Sequence, residues 1–149
     1  MTVDVALAVL KGEGGWLLQL RDDIEGIAAP GTWGLFGGHL DPGESAEEAL
    51  RRELLEEINW SAEAMAFWFM HSNARRRAHF FRGRLSVPLS RLELNEGQDM
   101  ALAELDALRR GWIWSERLQE RRPLAPSLQV VVAELLGSHD PPTGAEAMW

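Results

Sequence analysis

Glu53, Glu56 and Glu57 fall close together in a stretch whose pattern predicts a single helix. Residues three and four apart share a helix face, so Glu53 lies beside both of the others and the like charges repel. Ala46, Leu50 and Leu54 form the apolar row of the same helix. At about 100° per residue, Glu57 points only about 20° from Leu50 and Glu53 about 60°. Two carboxylates therefore overhang the stripe that must be buried, where desolvation penalises charge. A hard divalent cation resolves that conflict, since Mg²⁺ accepts carboxylate oxygens and keeps several waters. On spacing alone this is a metal site.

The elements that must hold these carboxylates run from Gly37 to Trp60. Asp41-Pro42-Gly43 is turn chemistry. Ser45 with Glu48 three residues on is a capping box that starts the helix, predicted at about 45–58. Asn59 stands where a left-handed residue ends it. Glu47 with Arg51 and Glu48 with Arg52 are spaced as i,i+4 ion pairs, which a solvated helix face explains.

Gly38, five residues, Glu44, seven residues, then Arg52-Glu53-Leu54-Leu55-Glu56-Glu57-Ile58 resembles the signature box of the Nudix (MutT-type) hydrolases. The departures are Asn59 for the box's final Gly, Trp60 for an aliphatic residue, and Phe36 where relatives commonly carry Pro before Gly37-Gly38. Asn tolerates a left-handed backbone, so the first change is mild. The resemblance implies an α/β/α sandwich with a mixed central sheet. It also implies Mg²⁺ or Mn²⁺ held by Glu53, Glu56, Glu57 and the Gly37 carbonyl. Glu53 or a loop carboxylate is then the general base, with Glu96 the best match and Asp99 the alternative. Arg52 holds a Glu in place, Glu44 lies outside the metal's direct ligands, and Arg21, Gly38 and Glu44 lie near substrate.

The chain has 149 residues, consistent with one domain, here drawn as 1–137 with a loose tail over 138–149. It has no Cys and a net charge of −8. Zero Cys excludes thiolate metal sites and cysteine nucleophiles, and fits a reducing cytoplasm. The acidic balance argues against duplex nucleic acid as partner. No stretch has the apolar length of a membrane span, and the first residues lack the basic start of a signal peptide. The tryptophans permit a homodimer.

Read in order, residues 3–10 and 16–20 are strands joined as a hairpin, and 33–36 is a short strand leading to Gly37-Gly38. Residues 60–70 and 78–86 are two more strands joined by a loop that contains Arg75-Arg76-Arg77, whose simplest reading is a solvated hairpin tip. Arg21 reads equally as a phosphate contact or a solvated strand end. His39 reads as a solvated loop residue, and Trp112 and Trp114 as core or interface rather than a nucleobase platform. Residues 100–105 are a strand and 106–110 a short helix. Pro126 opens a terminal amphipathic helix closed by Gly137. Hairpins with a central and a closing helix make an α+β domain.

The function implied is metal-dependent cleavage of a phosphoanhydride in a nucleoside diphosphate linked to another group X. The alternative is a non-catalytic nucleotide-sensing module of the same fold, against which the complete set of box carboxylates counts. An isoprenoid diphosphate isomerase would call for a cysteine that the chain lacks. Damaged nucleoside triphosphates, ADP-ribose, dinucleoside polyphosphates and nucleotide sugars all remain open as substrates.

Overall fold

The centre of the computed structural model, which describes residues 2–137, is a strand buried on both faces. β1 (Val3–Gly12) puts Val5, Leu7 and Val9 on one side and Ala6, Ala8 and Leu10 on the other. Strand side chains alternate between faces, so the odd–even size pattern of the sequence becomes two different cores. The large residues pack with Leu128, Val131 and Val132 of α3 (Pro126–Leu136). The small ones pack with Leu50, Leu54 and Ile58 of α1 (Ala46–Ile58).

Around β1 lie β2 (Gly15–Leu20), β3 (Trp33–Gly34), β4 (Gly37–His39), β5 (Met65–Ser72), β6 (Arg76–Arg84) and β7 (Asp99–Ala103). They form one seven-stranded sheet in the order β3-β2-β1-β6-β5, with β4 added on β1 and β7 on β2. β1 runs parallel to β6 and antiparallel to β2 and β4, so the sheet is mixed. α2 (Leu105–Arg110) leads into a separate hairpin, β8 (Trp112–Ser115) with β9 (Glu120–Pro123). This is the α+β sandwich expected from the sequence.

The start and end of α1 are as the sequence predicts. Ser45 and Glu48 close a full capping box, and Asn59 ends the helix at φ 51°. One expected pair does not form. Glu48 Oε1 accepts from Ser45 N–H at 2.9 Å, so Glu48 serves the cap while Arg52 turns to Glu44.

Other expectations shift. Residues 60–64 lie outside any strand, and the strand expected to start at 60 begins at Met65. Arg76 and Arg77 belong to β6, not to the turn before it. The β8–β9 hairpin had no counterpart in the sequence reading. Trp112 makes cation–π contacts there with Arg110 of α2 at 3.6 Å and Arg121 of β9 at 4.3 Å. The tail expected over 138–149 lies outside the described residues.

Candidate active site

α1 delivers its acidic residues to unlike surroundings. Glu57 is 4% exposed, and its Oε1 accepts a hydrogen bond from Gly37 N–H at 2.9 Å. Burial, then a hydrogen bond with the Glu96 carboxyl and the charge of Glu96, push the Glu57 pKa up to about 9. Glu53 is half-buried, and burial raises its pKa as well, against the lowering effect of Arg52. Glu56 stays largely exposed, 3.6 Å from Arg52. The desolvation inferred from helix geometry is thus present at Glu53 and Glu57.

Two glycines make this packing sterically feasible. A Cβ on Gly38 would stand 2.7 Å from the Glu53 carboxyl carbon, so the carboxyl lies directly against the Gly38 backbone. Gly37 sits at φ 145°, and a Cβ there would collide with the Ala6 carbonyl of β1. At this position the chain needs a residue without a side chain.

Arg52 organises the helix start. Its guanidinium donates to Glu44 at 2.8 and 3.0 Å, to Glu53 at 3.1 Å and to the His39 carbonyl at 3.1 Å. Hydrogen bonds from Arg52 and from Asp41 N–H pull the Glu44 pKa down to about 2. Glu44 therefore anchors Arg52, and Arg52 orients Glu53 by charge-assisted hydrogen bonds.

Glu96 reaches Glu57 because its loop is tied at both ends. Asn95 N–H donates to Glu57 O at 2.8 Å, its side chain to Glu56 O at 3.1 Å, and Glu93 N–H to Ile58 O at 3.1 Å. These bonds satisfy carbonyls of the last helical turn that have no partner within the helix. On the far side, Gln98 bonds to Leu20 O at 2.7 Å and Arg21 O at 2.9 Å, while Gln19 donates to Glu96 O at 3.0 Å. Asp99, the alternative to Glu96, is buried and accepts from Ser115 Oγ and Met100 N–H, both at 2.8 Å. It joins β7 to β8 and takes no part in the acidic centre.

Arg21 lies at the margin of this centre. It donates to Ala28 O at 2.7 Å, and its electrostatic surroundings include Glu96, Glu57 and Arg76. It also lines a cavity of about 300 Å³ together with His71, Arg75 and Arg76. The sequence reading missed this gathering, because it took Arg75 and Arg76 for a solvated tip. His39 is exposed and contributes its carbonyl to Arg52, and Trp112 and Trp114 do not line the cavity.

Among the described residues, no three His, Cys, Asp or Glu side chains converge as a preformed cation cage. What the chain offers instead is a set of hard oxygen donors whose buried member is strongly disposed to hold a proton, at a helix C-terminus that also disfavours negative charge. A divalent cation fits that donor chemistry, since it can replace the proton and cancel the mutual repulsion.

A mixed sheet between α1 and α3, with a glycine-braced acidic helix, defines a Nudix-type fold. The family model of the NUDIX domain matches residues 1–135, and the chain belongs to that family. A 54-residue stretch, 36% of the chain, is 43% identical to the nucleoside triphosphatase NudI of Escherichia coli. The match spans 38% of the length of that curated relative. Among solved structures, a MutT NUDIX hydrolase from Burkholderia pseudomallei superposes with a TM-score of 0.68 at 20% identity, covering 89% of this chain and 96% of that one. The NUDIX domain of Shewanella oneidensis NrtR, complexed with ADP ribose, superposes at 0.67 with 18% identity, covering 89% and 84%. At such identities these likenesses speak to the fold alone. No helix among the described residues is long and apolar enough to cross a membrane.

Proposed function

We propose that this chain is a metal-dependent pyrophosphohydrolase that cleaves a phosphoanhydride bond in a nucleoside diphosphate linked to another group X. The observation that carries the reading is the buried Glu57 carboxyl, packed beside Glu96 and near Glu53, in a chain of the Nudix family. Glu53, Glu56, Glu57 and the Gly37 carbonyl would hold Mg²⁺ or Mn²⁺. Bound there, the cation would neutralise the diphosphate, orient it and lower the pKa of an attacking water. Glu53 is oriented by Arg52 and has a raised proton affinity, which suits a base that takes the proton from water. Glu96 is the second candidate for that role. Arg21 would contact phosphate, and Gly38 keeps the Glu53 carboxyl in place. A module that merely held a nucleotide would have no need of Glu53, Glu56 and Glu57 together.

The test is a hydrolysis screen with Mg²⁺ across nucleoside triphosphates, ADP-ribose, dinucleoside polyphosphates and nucleotide sugars, with products identified by mass. Release of two phosphate-bearing pieces from at least one class supports the proposal. Losses under about tenfold in all of the Gln variants at 53, 56, 57 and 96 would fall far below the general-base range and overturn it.

A further inference from the structure

The three consecutive arginines of the β5–β6 hairpin have separate fates. Asn73 Oδ1 accepts from both Arg75 N–H and Arg76 N–H at 2.8 Å, and Asn73 N–H donates to Arg76 O at 2.9 Å. Val3 N–H of β1 donates to Arg75 O at 2.9 Å. With the turn fixed, strand alternation sends neighbouring side chains to opposite faces. Arg77 goes to the α1 side, where Asp4 takes it at 2.7 and 2.9 Å. Arg76 goes to the α3 side, onto the face of Ala78 and Phe80, and enters the cavity that Arg21 and Arg75 also line.

No ion pair holds Arg21, Arg75 or Arg76 among the described residues, and Arg21 is half-buried. Burial first, and then the charge of Arg76, lower the Arg21 pKa, against the opposing pull of Glu96, Glu57 and Asp22. A cavity walled by guanidinium groups that repel one another is relieved by an anion, and guanidinium forks match phosphate oxygens two at a time. The same lining is poorly suited to reading a nucleobase. Of its two aromatic rings, Phe80 is stacked on Phe69 at 4.5 Å and His71 is exposed, and the Asn73 amide oxygen is committed to the turn. No Asp, Glu or Gln lines the cavity.

We propose that this cavity, which adjoins the acidic centre through Arg21, is an anion subsite for a phosphate of the substrate other than the two joined by the scissile anhydride, recognised by Arg75 and Arg76. The preferred substrate class is then a nucleoside diphosphate derivative with an additional phosphate, carried either by X or by the nucleoside's own ribose. This deepens the hydrolase reading above and rests on it for the identity of the substrate.

The experiment compares ADP-ribose, ADP-ribose phosphorylated on the adenosine ribose, and ADP-ribose phosphorylated on the terminal ribose, in wild type, Arg76→Met and Arg75→Met/Arg76→Met. Met keeps much of the apolar stem, and melting curves check that each variant is folded. One phosphorylated compound is expected to exceed ADP-ribose in kcat/KM by about tenfold, and which one it is locates the phosphate on X or on the nucleoside. The double variant should erase that preference through KM with kcat kept, the mark of lost binding remote from the chemistry. Calorimetry in chelator provides a readout independent of hydrolysis: ribose phosphate should bind, ribose should not, and the double variant should weaken the former about tenfold. Equal kcat/KM for all three compounds, or binding of ribose phosphate unaffected by the variants, overturns the subsite and leaves the hydrolase reading standing. Arginine-dependent binding of ribose phosphate, with no hydrolysis of these compounds or of any class in the wider substrate screen, supports the subsite and overturns the hydrolase reading.

Discussion

The acidic centre at α1 and the cationic cavity beside α3 contrast in how each handles charge that the fold leaves unbalanced. At α1, Glu57 is buried against Glu96 and raises its proton affinity to about 9, so the metal-free chain keeps a proton where a cation would sit. Beside α3, guanidinium groups cannot shed their protons at ordinary pH, so Arg21 and Arg76 remain charged side by side. Carboxylates can adapt by protonation and arginines cannot. The first region is therefore suited to chemistry with a cation and a moving proton, and the second to holding an anion still. Arg21 is where the two fields meet.

Substitutions should separate these roles, and the largest effect is expected at Glu53. Glu53→Gln should slow hydrolysis by roughly 10²–10⁴-fold and stay slow at saturating Mg²⁺, because added metal does not replace proton transfer. Glu56→Gln, at an exposed position, should be rescued in part by extra Mg²⁺. Rate measurements across a metal titration distinguish the two. Rescue of Glu53→Gln with failure to rescue Glu96→Gln would move the base to the loop.

Gly38→Ala should cost at least about tenfold in rate, since the new Cβ would meet the Glu53 carboxyl at 2.7 Å. Backbone strain is not the cause, because Gly38 has no left-handed φ. Gly37→Ala combines a φ of 145° with a backbone collision, so it should lower the melting temperature as well as the rate. Equal thermal stability of the two variants would contradict this division.

The acidic centre also predicts a pH dependence. With Glu57 raised from 4.5 to about 9, the folded metal-free chain binds more protons than the unfolded chain between those values. Stability from this group is complete below 4.5 and declines as pH rises through that window. In chelator, the melting temperature should fall from mildly acidic to alkaline pH, and Glu57→Gln should flatten the slope. An unchanged slope in the variant would place the titrating group elsewhere.

The smallest effect is local to the helix. Asn59→Gly should be close to neutral, whereas Asn59→Val should destabilise by about 1 kcal/mol or more, measured by chemical denaturation, because a β-branched residue resists the left-handed φ of 51°.

α1 was legible in the sequence because its signals are local. The capping box, the Asn59 cap and the angular placement of Glu57 beside Leu50 all lie within fifteen residues, and the structure reproduces each. Arg76 was not legible in the same way. Its face depends on where the β5–β6 turn closes, and a shift of one residue sends a strand side chain to the other face. Glu96 could be named by resemblance, but the bonds that deliver it come from Gln19, Asn95 and Gln98 across distant parts of the chain. The Glu48–Arg52 pair failed for a related reason, since Glu48 was already needed at the cap and Glu44 competed for Arg52.

The most direct test of the account is the melting temperature of wild type and Glu57→Gln across a titration of Mg²⁺ or Mn²⁺. A ligand that binds only the folded state stabilises it by about 2.7 kcal/mol at a hundredfold excess over its Kd. The account predicts a clear rise for wild type at millimolar metal and little or none for Glu57→Gln. A flat curve for wild type, or an equal rise in both proteins, would contradict it.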